Sequence, residues 1–208
     1  TRSSTQQMRT VRALGKDKGP EAVRAFLGVI YPDELSDAHE LAHIIGESAF
    51  IRDGYAGFGV CDAFMKFACY HGVILQAIRK SGYNQTVLKN LAHGCTGLKR
   101  NATAITACVH GIGHGIMWIK SYDMLVSFRE CDRAFQNSLQ RFFCHDGVAM
   151  ENVVRRGDTT NAVTSLSKND PFYPCNTMPR EYEAPCVREH VHFARRFIFA
   201  LETHKTAE

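Results

Sequence analysis

The sequence predicts an all-α protein of helical-hairpin repeats that are stapled by disulfides and curve into a solenoid or a toroid. Sustained alternation of apolar and polar residues is nearly absent, which argues against a β-sheet. A cysteine-centred motif recurs every 32 to 42 residues, a period typical of one helical hairpin per repeat. We expect a flexible N-terminal segment at 1–18 and a single all-α repeat domain at 19–208.

The composition is that of an ordinary folded domain. The chain has 208 residues, 45% of them hydrophobic, and a formal net charge of +4. Such a mild charge is not typical of nucleic-acid-binding proteins, so we expect no nucleic-acid partner. The longest apolar runs, such as Phe197 to Leu201, are short, so we also expect no membrane span.

The cysteines indicate an oxidising compartment. They form four sequential pairs with spacings of 8, 13, 13 and 11 residues, and no Cys-x-x-Cys motif occurs. Disulfides between sequence neighbours fit this spacing, although spacing does not determine connectivity, and scattered reduced cysteines are the alternative. The chain also starts at Thr1 without Met, as after removal of a leader. We expect an extracytoplasmic protein, periplasmic or secreted. The cysteines are Cys61, Cys69, Cys95, Cys108, Cys131, Cys144, Cys175 and Cys186.

Helix signals begin after the N-terminal segment. A first helix starts at Pro20, a residue favoured in the first turn, and ends before Pro32. Ser36 or Asp37 can cap a second helix that continues to Phe50.

The C-terminal part contains the one long irregular stretch that we expect. Residues 157–185 are rich in Pro, Gly and Asn and predict a loop with one short helix at 162–166. Helical spacing resumes over 187–201.

An internal repeat appears when the cysteines are aligned. Three segments read Cys-x-(His or Asp)-Gly, at 69–72, 108–111 and 144–147, and degenerate copies lie at 37–40 and 186–189. The glycine allows close approach between helices, or alternatively marks a loose first turn. The third position of the motif, called the key position below, holds His39, His71, His110, Asp146 and Arg188.

Two copies carry a second histidine four residues after the key position, His43 and His114. Residues i and i+4 share a helix face, and the cysteine two positions before the key residue points to the other side. Packed repeats would therefore bring the histidines together as ligands for one or two transition-metal ions. Zinc or copper suits imidazole ligands best, with iron as a further option. The predicted metal ligands are His39, His43, His71, His110, His114 and Asp146.

The first histidine pair lies in the motif His-Glu-x-x-His, which resembles the signature of zinc metallopeptidases. The resemblance implies that Glu40 acts as a general base beside the metal, and Glu151 is a second candidate for this role. The chain departs from the longer form of that motif, because Ala49 occupies the position of the third ligand. The second pair also has Gly111 where Glu40 stands, which puts the role of the glutamate in doubt.

The segments 39–46, 69–73, 108–115 and 147–152 resemble a group of exported bacterial helical proteins with repeated Cys-x-His-Gly motifs. This resemblance implies no particular activity. The cysteine-stapled hairpins are similar in architecture to Sel1-like repeat proteins. Their usual Ala/Gly pattern is not reproduced here, so their binding role is not transferred either.

These observations predict a metal-dependent enzyme that acts on a small molecule or peptide, either by hydrolysis with a metal-bound water or by copper or iron oxidative chemistry. Two alternatives stay open. The first is a non-catalytic metal carrier or sensor. The second is a repeat module that binds a protein partner and whose histidines are satisfied core residues.

Overall fold

The computed structural model of the chain is all-α, as the sequence predicts. It describes residues 4–32, 38–98, 101–154, 170 and 172–205, and these hold nine α-helices and no β-strand. The predicted caps Ser36 and Asp37 and the short helix at 162–166 lie outside the described residues. The helices are α1 (Ser4–Lys18), α2 (Pro20–Ile30), α3 (His39–Asp53), α4 (Phe64–Ser81), α5 (Gln85–Thr96), α6 (Ala102–Ile119), α7 (Met124–Ala134), α8 (Ser138–Val154) and α9 (Arg180–Lys205).

The chain divides into two compact units, Thr1–Gly115 and Ile116–Glu208, which are called unit 1 and unit 2. In unit 1, α3 packs against α1, α2 and α4. In unit 2, α8 packs against α7 and α9. The solenoid or toroid arrangement and the single repeat domain at 19–208 stay predictions.

The N-terminal segment differs from the expectation of a flexible arm. Its described part forms α1, and Val11 on this helix is only 3% exposed. The guanidinium of Arg12 donates to the carboxylate of Glu47 on α3 at 3.1 Å. Val11 therefore packs into the hydrophobic core, although the composition of this segment is mostly polar.

Two glycines allow α3 and α4 to cross in close contact. A Cβ on Gly46 would overlap the carbonyl oxygen of Cys69, and a Cβ on Gly72 would overlap that of His43. Gly72 is the glycine of the first Cys-x-His-Gly motif, so the close-approach interpretation is confirmed there. This crossing brings the histidines of α3 next to that of α4.

Each of the four disulfides joins two cysteines that follow one another in the sequence, 8 to 13 residues apart. The pairs are Cys61–Cys69, Cys95–Cys108, Cys131–Cys144 and Cys175–Cys186, with Cα–Cα distances between 5.4 and 5.7 Å. The local pairing predicted from spacing is therefore confirmed. Four disulfides in a chain of this size are typical of proteins from oxidising, extracytoplasmic environments.

Side-chain caps start four successive helices. The side chain of Asn84 accepts a hydrogen bond from the Val87 amide at the start of α5. The side chain of Asp123 accepts one from the Val126 amide at the start of α7. Asn101 and Asn137 cap α6 and α8 in the same way. These caps satisfy amide groups that lack a partner within the first helical turn.

Helix α6 bears on the expectation that no segment spans a membrane. It contains no Asp, Glu, Lys or Arg and is long and apolar enough, by length and composition alone, to cross a membrane. Half of it is buried inside the protein, as is usual for a core helix. One such helix is weak evidence, and the absence of a membrane span stays a prediction.

Candidate metal centre

Three imidazole rings converge in unit 1. His39 and His43 lie one turn apart on α3, and His71 lies on α4 beside them. The ring centroids are 4.9 Å apart for His39 and His43, 5.5 Å for His39 and His71, and 5.4 Å for His43 and His71. One ring nitrogen from each histidine lies within 4.8 Å of the other two. The predicted convergence of these three residues is therefore present.

The orientation of His39 is set by the backbone of α4. Its Nδ1 lies 2.8 Å from the carbonyl oxygen of Met65, and because a carbonyl only accepts, Nδ1 carries the proton. The lone pair of the neutral ring then belongs to Nε2. A hydrogen bond from one ring nitrogen to a carbonyl is the usual way in which proteins orient a metal-binding histidine.

The Met65 carbonyl lies in an unusual turn at the start of α4. Met65, Lys66 and Phe67 have φ angles of 48°, 54° and 64°, in the left-handed region that side chains other than glycine rarely adopt. The Cys61–Cys69 disulfide encloses this turn. Strained backbone is commonly found at functional sites, and here it supplies the acceptor for His39. Sequence reasoning missed this element, because no residue type marks it.

Burial favours the neutral form of His39 and His71. Burial lowers the pKa of His39, and the hydrogen bond to Met65 opposes this effect only in part. The pKa of His71 lies well below its usual value, because burial and then the four neighbouring imidazoles all disfavour a proton there. A neutral imidazole is the form that binds a metal ion, so the site is prepared for coordination at neutral pH.

A second histidine pair lies against His71. His110 and His114 are one turn apart on α6, and their Nε2 atoms are 3.0 Å apart. The ring centroid of His71 is 5.0 Å from that of His114 and 6.4 Å from that of His110. All five predicted histidine ligands therefore belong to one cluster of unit 1, called the five-histidine cluster below.

The predicted carboxylates have different surroundings. Glu40 is exposed in the first turn of α3. Asp146 lies in unit 2, where its carboxylate pairs with the guanidinium of Arg188 at 3.3 Å. Glu151 also lies in unit 2, on α8. The roles of Asp146 as a ligand and of Glu40 and Glu151 as bases stay predictions.

Another group of potential ligands is chemically unavailable. Cys175, Cys186 and His190 place their sulfur and nitrogen atoms within 4.8 Å of one another. The two cysteines form a disulfide, so neither offers the thiolate that a metal ion requires. His190 instead lies 2.9 Å from the carbonyl oxygen of Cys186 and has a structural role.

Unit 2 contains a polar pocket that the sequence reasoning did not identify. The buried His145 places Nε2 3.0 Å from Asp132, and the hydroxyl of Tyr182 donates to the same carboxylate at 2.5 Å. Burial, and then the hydrogen bond to Asp132, raises the pKa of Tyr182 to about 12. Ser138, Arg141 and Glu181 also line this pocket, whose volume is about 410 Å³. Of these residues only His145 belongs to a copy of the motif, at its variable second position.

Comparison with known proteins assigns no relatives. No protein-family model, no curated protein and no solved structure matches the chain. The resemblances to exported bacterial helical proteins and to zinc metallopeptidases therefore stay expectations.

Proposed function

We propose that the protein binds a transition-metal ion through His39, His43 and His71. One observation carries the proposal: three imidazole nitrogens from two crossing helices lie within 4.8 Å of one another. Zinc–nitrogen bonds of about 2.0–2.1 Å place ligand nitrogens about 3 to 3.4 Å apart. Small side-chain rotations are therefore enough to form the site.

The ligand type limits the metal. Imidazole nitrogens suit Zn2+ and Cu2+, and iron is the next candidate. Disulfide-bonded cysteines leave no thiolate in the described part of the chain, so sites of the cysteine-rich zinc type do not apply. We propose Zn2+ or Cu2+ as the bound ion.

Three protein ligands favour a catalytic role. Structural zinc sites use four protein ligands, whereas catalytic sites use three and leave a position for water or substrate. We propose hydrolysis of a small molecule or peptide as the reaction, with Glu40 as the candidate base. The exposure of Glu40 favours a second candidate function, a metal carrier or sensor, because a base for bound water is normally enclosed with it.

Cobalt titration tests metal binding. Co2+ substitutes for Zn2+ and absorbs visible light strongly when nitrogen ligands surround it in a tetrahedron. We expect saturable absorption for the metal-free wild type and clearly lower saturating absorption in His43→Ala, because this variant loses one ligand of the three-histidine site. His93→Ala is the matched control, because His93 is exposed on α5. Equal spectra for wild type and His43→Ala would rule out the three-histidine site.

Substitution of Glu40 separates the two functions. For the enzyme, Glu40→Gln should lower hydrolysis of a reporter ester such as p-nitrophenyl acetate by about 100-fold or more, because general-base catalysis contributes on that scale. Cobalt affinity should stay unchanged, because Glu40 is not a ligand. Zinc-loaded wild type without activity above the metal-free protein, on this ester and on mixed peptides, would favour the carrier.

A further inference from the structure

We infer that His110, His114 and His71 hold a second metal ion, so that His71 is a ligand shared by two ions. This inference depends on the proposed function, because His71 also belongs to the first ligand set. Three features of the five-histidine cluster support it: the spacing of the α6 pair, the position of His71 between the two pairs, and the close approach of α6 to its ring.

The α6 pair already has the spacing of two ligands on one ion. The Nε2 atoms of His110 and His114 are 3.0 Å apart. Metal–nitrogen bonds of about 2.0–2.1 Å require a separation of about 3 to 3.4 Å. Without metal, one ring donates its Nε2 proton to the other, since two neutral nitrogens at this distance need one donor and one acceptor. For both Nε2 atoms to bind one ion, the donor ring would change tautomer, its proton moving from Nε2 to Nδ1 by exchange with solvent.

His71 is the ring that contacts both pairs. Its centroid lies 5.5 and 5.4 Å from those of His39 and His43, and 5.0 and 6.4 Å from those of His114 and His110. One imidazole therefore lies within reach of two i,i+4 pairs, each of which is a bidentate ligand in itself.

A glycine brings α6 against one edge of the His71 ring. A Cβ on Gly111 would lie 2.5 Å from Cδ2 and 3.2 Å from Nε2 of His71. Because Gly111 follows His110 directly, the Nε2 edge of His71 faces the helix that carries the second pair. The glycine of this motif copy therefore serves to bring a ring nitrogen close to α6.

Sharing is chemically possible because imidazole has two nitrogens. When both bind metal, the ring proton passes to solvent and the ring becomes an anionic bridge between two cations, which stabilise it. The bond lengths on each side place the two ions about 6 Å apart.

The test is the zinc content of the folded, oxidised full chain after saturation and removal of loosely bound ions. We expect about two Zn2+ per wild-type chain, about one in His110→Ala/His114→Ala and about one in His39→Ala/His43→Ala. Circular dichroism and a free-thiol assay confirm folding, and the Gln versions of each double variant replace any Ala variant that does not fold. His93→Ala should match wild type, since this side chain is exposed.

The outcomes separate the two proposals. One ion in wild type that persists in His110→Ala/His114→Ala would overturn the second site and leave the proposed function intact. One ion that is lost in both double variants would indicate a single centre of all five histidines, which also overturns it. No ion in wild type would overturn the proposed function itself. With Cu2+, sharing of His71 predicts spin coupling, seen as a lowered paramagnetic resonance intensity, and two independent copper signals would overturn the shared ligand.

Discussion

At the scale of the residue, the orientation of one imidazole depends on strained backbone. The carbonyl of Met65 accepts the Nδ1 proton of His39 and leaves Nε2 for a metal ion. That carbonyl is held by a left-handed turn of non-glycine residues, which costs about 1 kcal/mol or more per residue. The site is thus formed at the expense of local stability.

Substitution of Lys66 by glycine should relieve this strain. Lys66 is exposed with a φ of 54°, so Lys66→Gly should stabilise the metal-free protein by about 1 kcal/mol. Lys89→Gly is the matched control, because Lys89 is exposed inside α5, where glycine costs about 1 kcal/mol. Urea denaturation measures both. Destabilisation of equal size in the two variants would contradict the left-handed turn.

The buried His145 should make the protein less stable in acid. Burial lowers its pKa more than its neighbours raise it, namely Asp132 and the carbonyl oxygen of Phe128. The unfolded chain therefore takes up a proton near the ordinary pKa of about 6.5, while the folded chain takes it up only at lower pH. The free energy of unfolding should be highest above this value and should decrease as the pH falls below it.

Urea midpoints at pH 8 and pH 5 in the presence of EDTA measure this effect. We expect a smaller decrease in His145→Gln than in wild type, since glutamine does not titrate. The neighbouring charges of Asp132 and Arg141 are retained in both proteins. An identical decrease in wild type and His145→Gln would show that His145 does not contribute.

At the scale of the element, the crossing of α3 and α4 positions the ligands. Gly46 and Gly72 bring each backbone onto the other, so His39 and His43 on one helix meet His71 on the other. The i,i+4 spacing predicted which histidines share a helix face, and that prediction is confirmed for the pairs on α3 and α6.

Gly72→Ala should separate these helices. The added methyl group would overlap the backbone carbonyl of His43, which cannot move away as a side chain can. We expect a loss of about 3 kcal/mol in the free energy of unfolding, the upper end for overpacking, and weaker cobalt binding. Gly59→Ala is the control, because nothing lies within 4 Å of its added methyl, and it should change stability by less than about 0.5 kcal/mol. Equal effects of the two substitutions would contradict the close crossing.

The sequence alone predicts part of the fold and of the candidate metal site. The five histidines could be identified from the sequence, because they recur at the key position of the motif or four residues after it. The turn at Met65 was not predicted, because no residue type marks left-handed backbone there. The Asp132–His145–Tyr182 group was not predicted, because it joins residues up to 50 positions apart in the sequence. The helix α1 was missed because one buried side chain, Val11, carries little weight in a polar segment.

At the scale of the whole molecule, the cysteine and the histidine of the repeated motif have different roles. Each cysteine of the motif bonds to a neighbouring segment, as Cys69 does to Cys61 and Cys108 to Cys95. The histidines two residues later, His71 and His110, instead belong to the five-histidine cluster. Local pairing of the cysteines fitted their spacing, and the structure confirms it, whereas the arrangement of complete repeats is a long-range property that spacing does not indicate.

The most direct test of metal binding is elemental analysis of the protein exported to an oxidising compartment with its disulfides formed. We expect at least one equivalent of zinc, copper or iron per chain, and its loss in a folded His39→Ala/His71→Ala variant. Wild-type protein that carries no metal, and stays metal-free when Zn2+ and Cu2+ are added, would show that the histidines do not form a metal site.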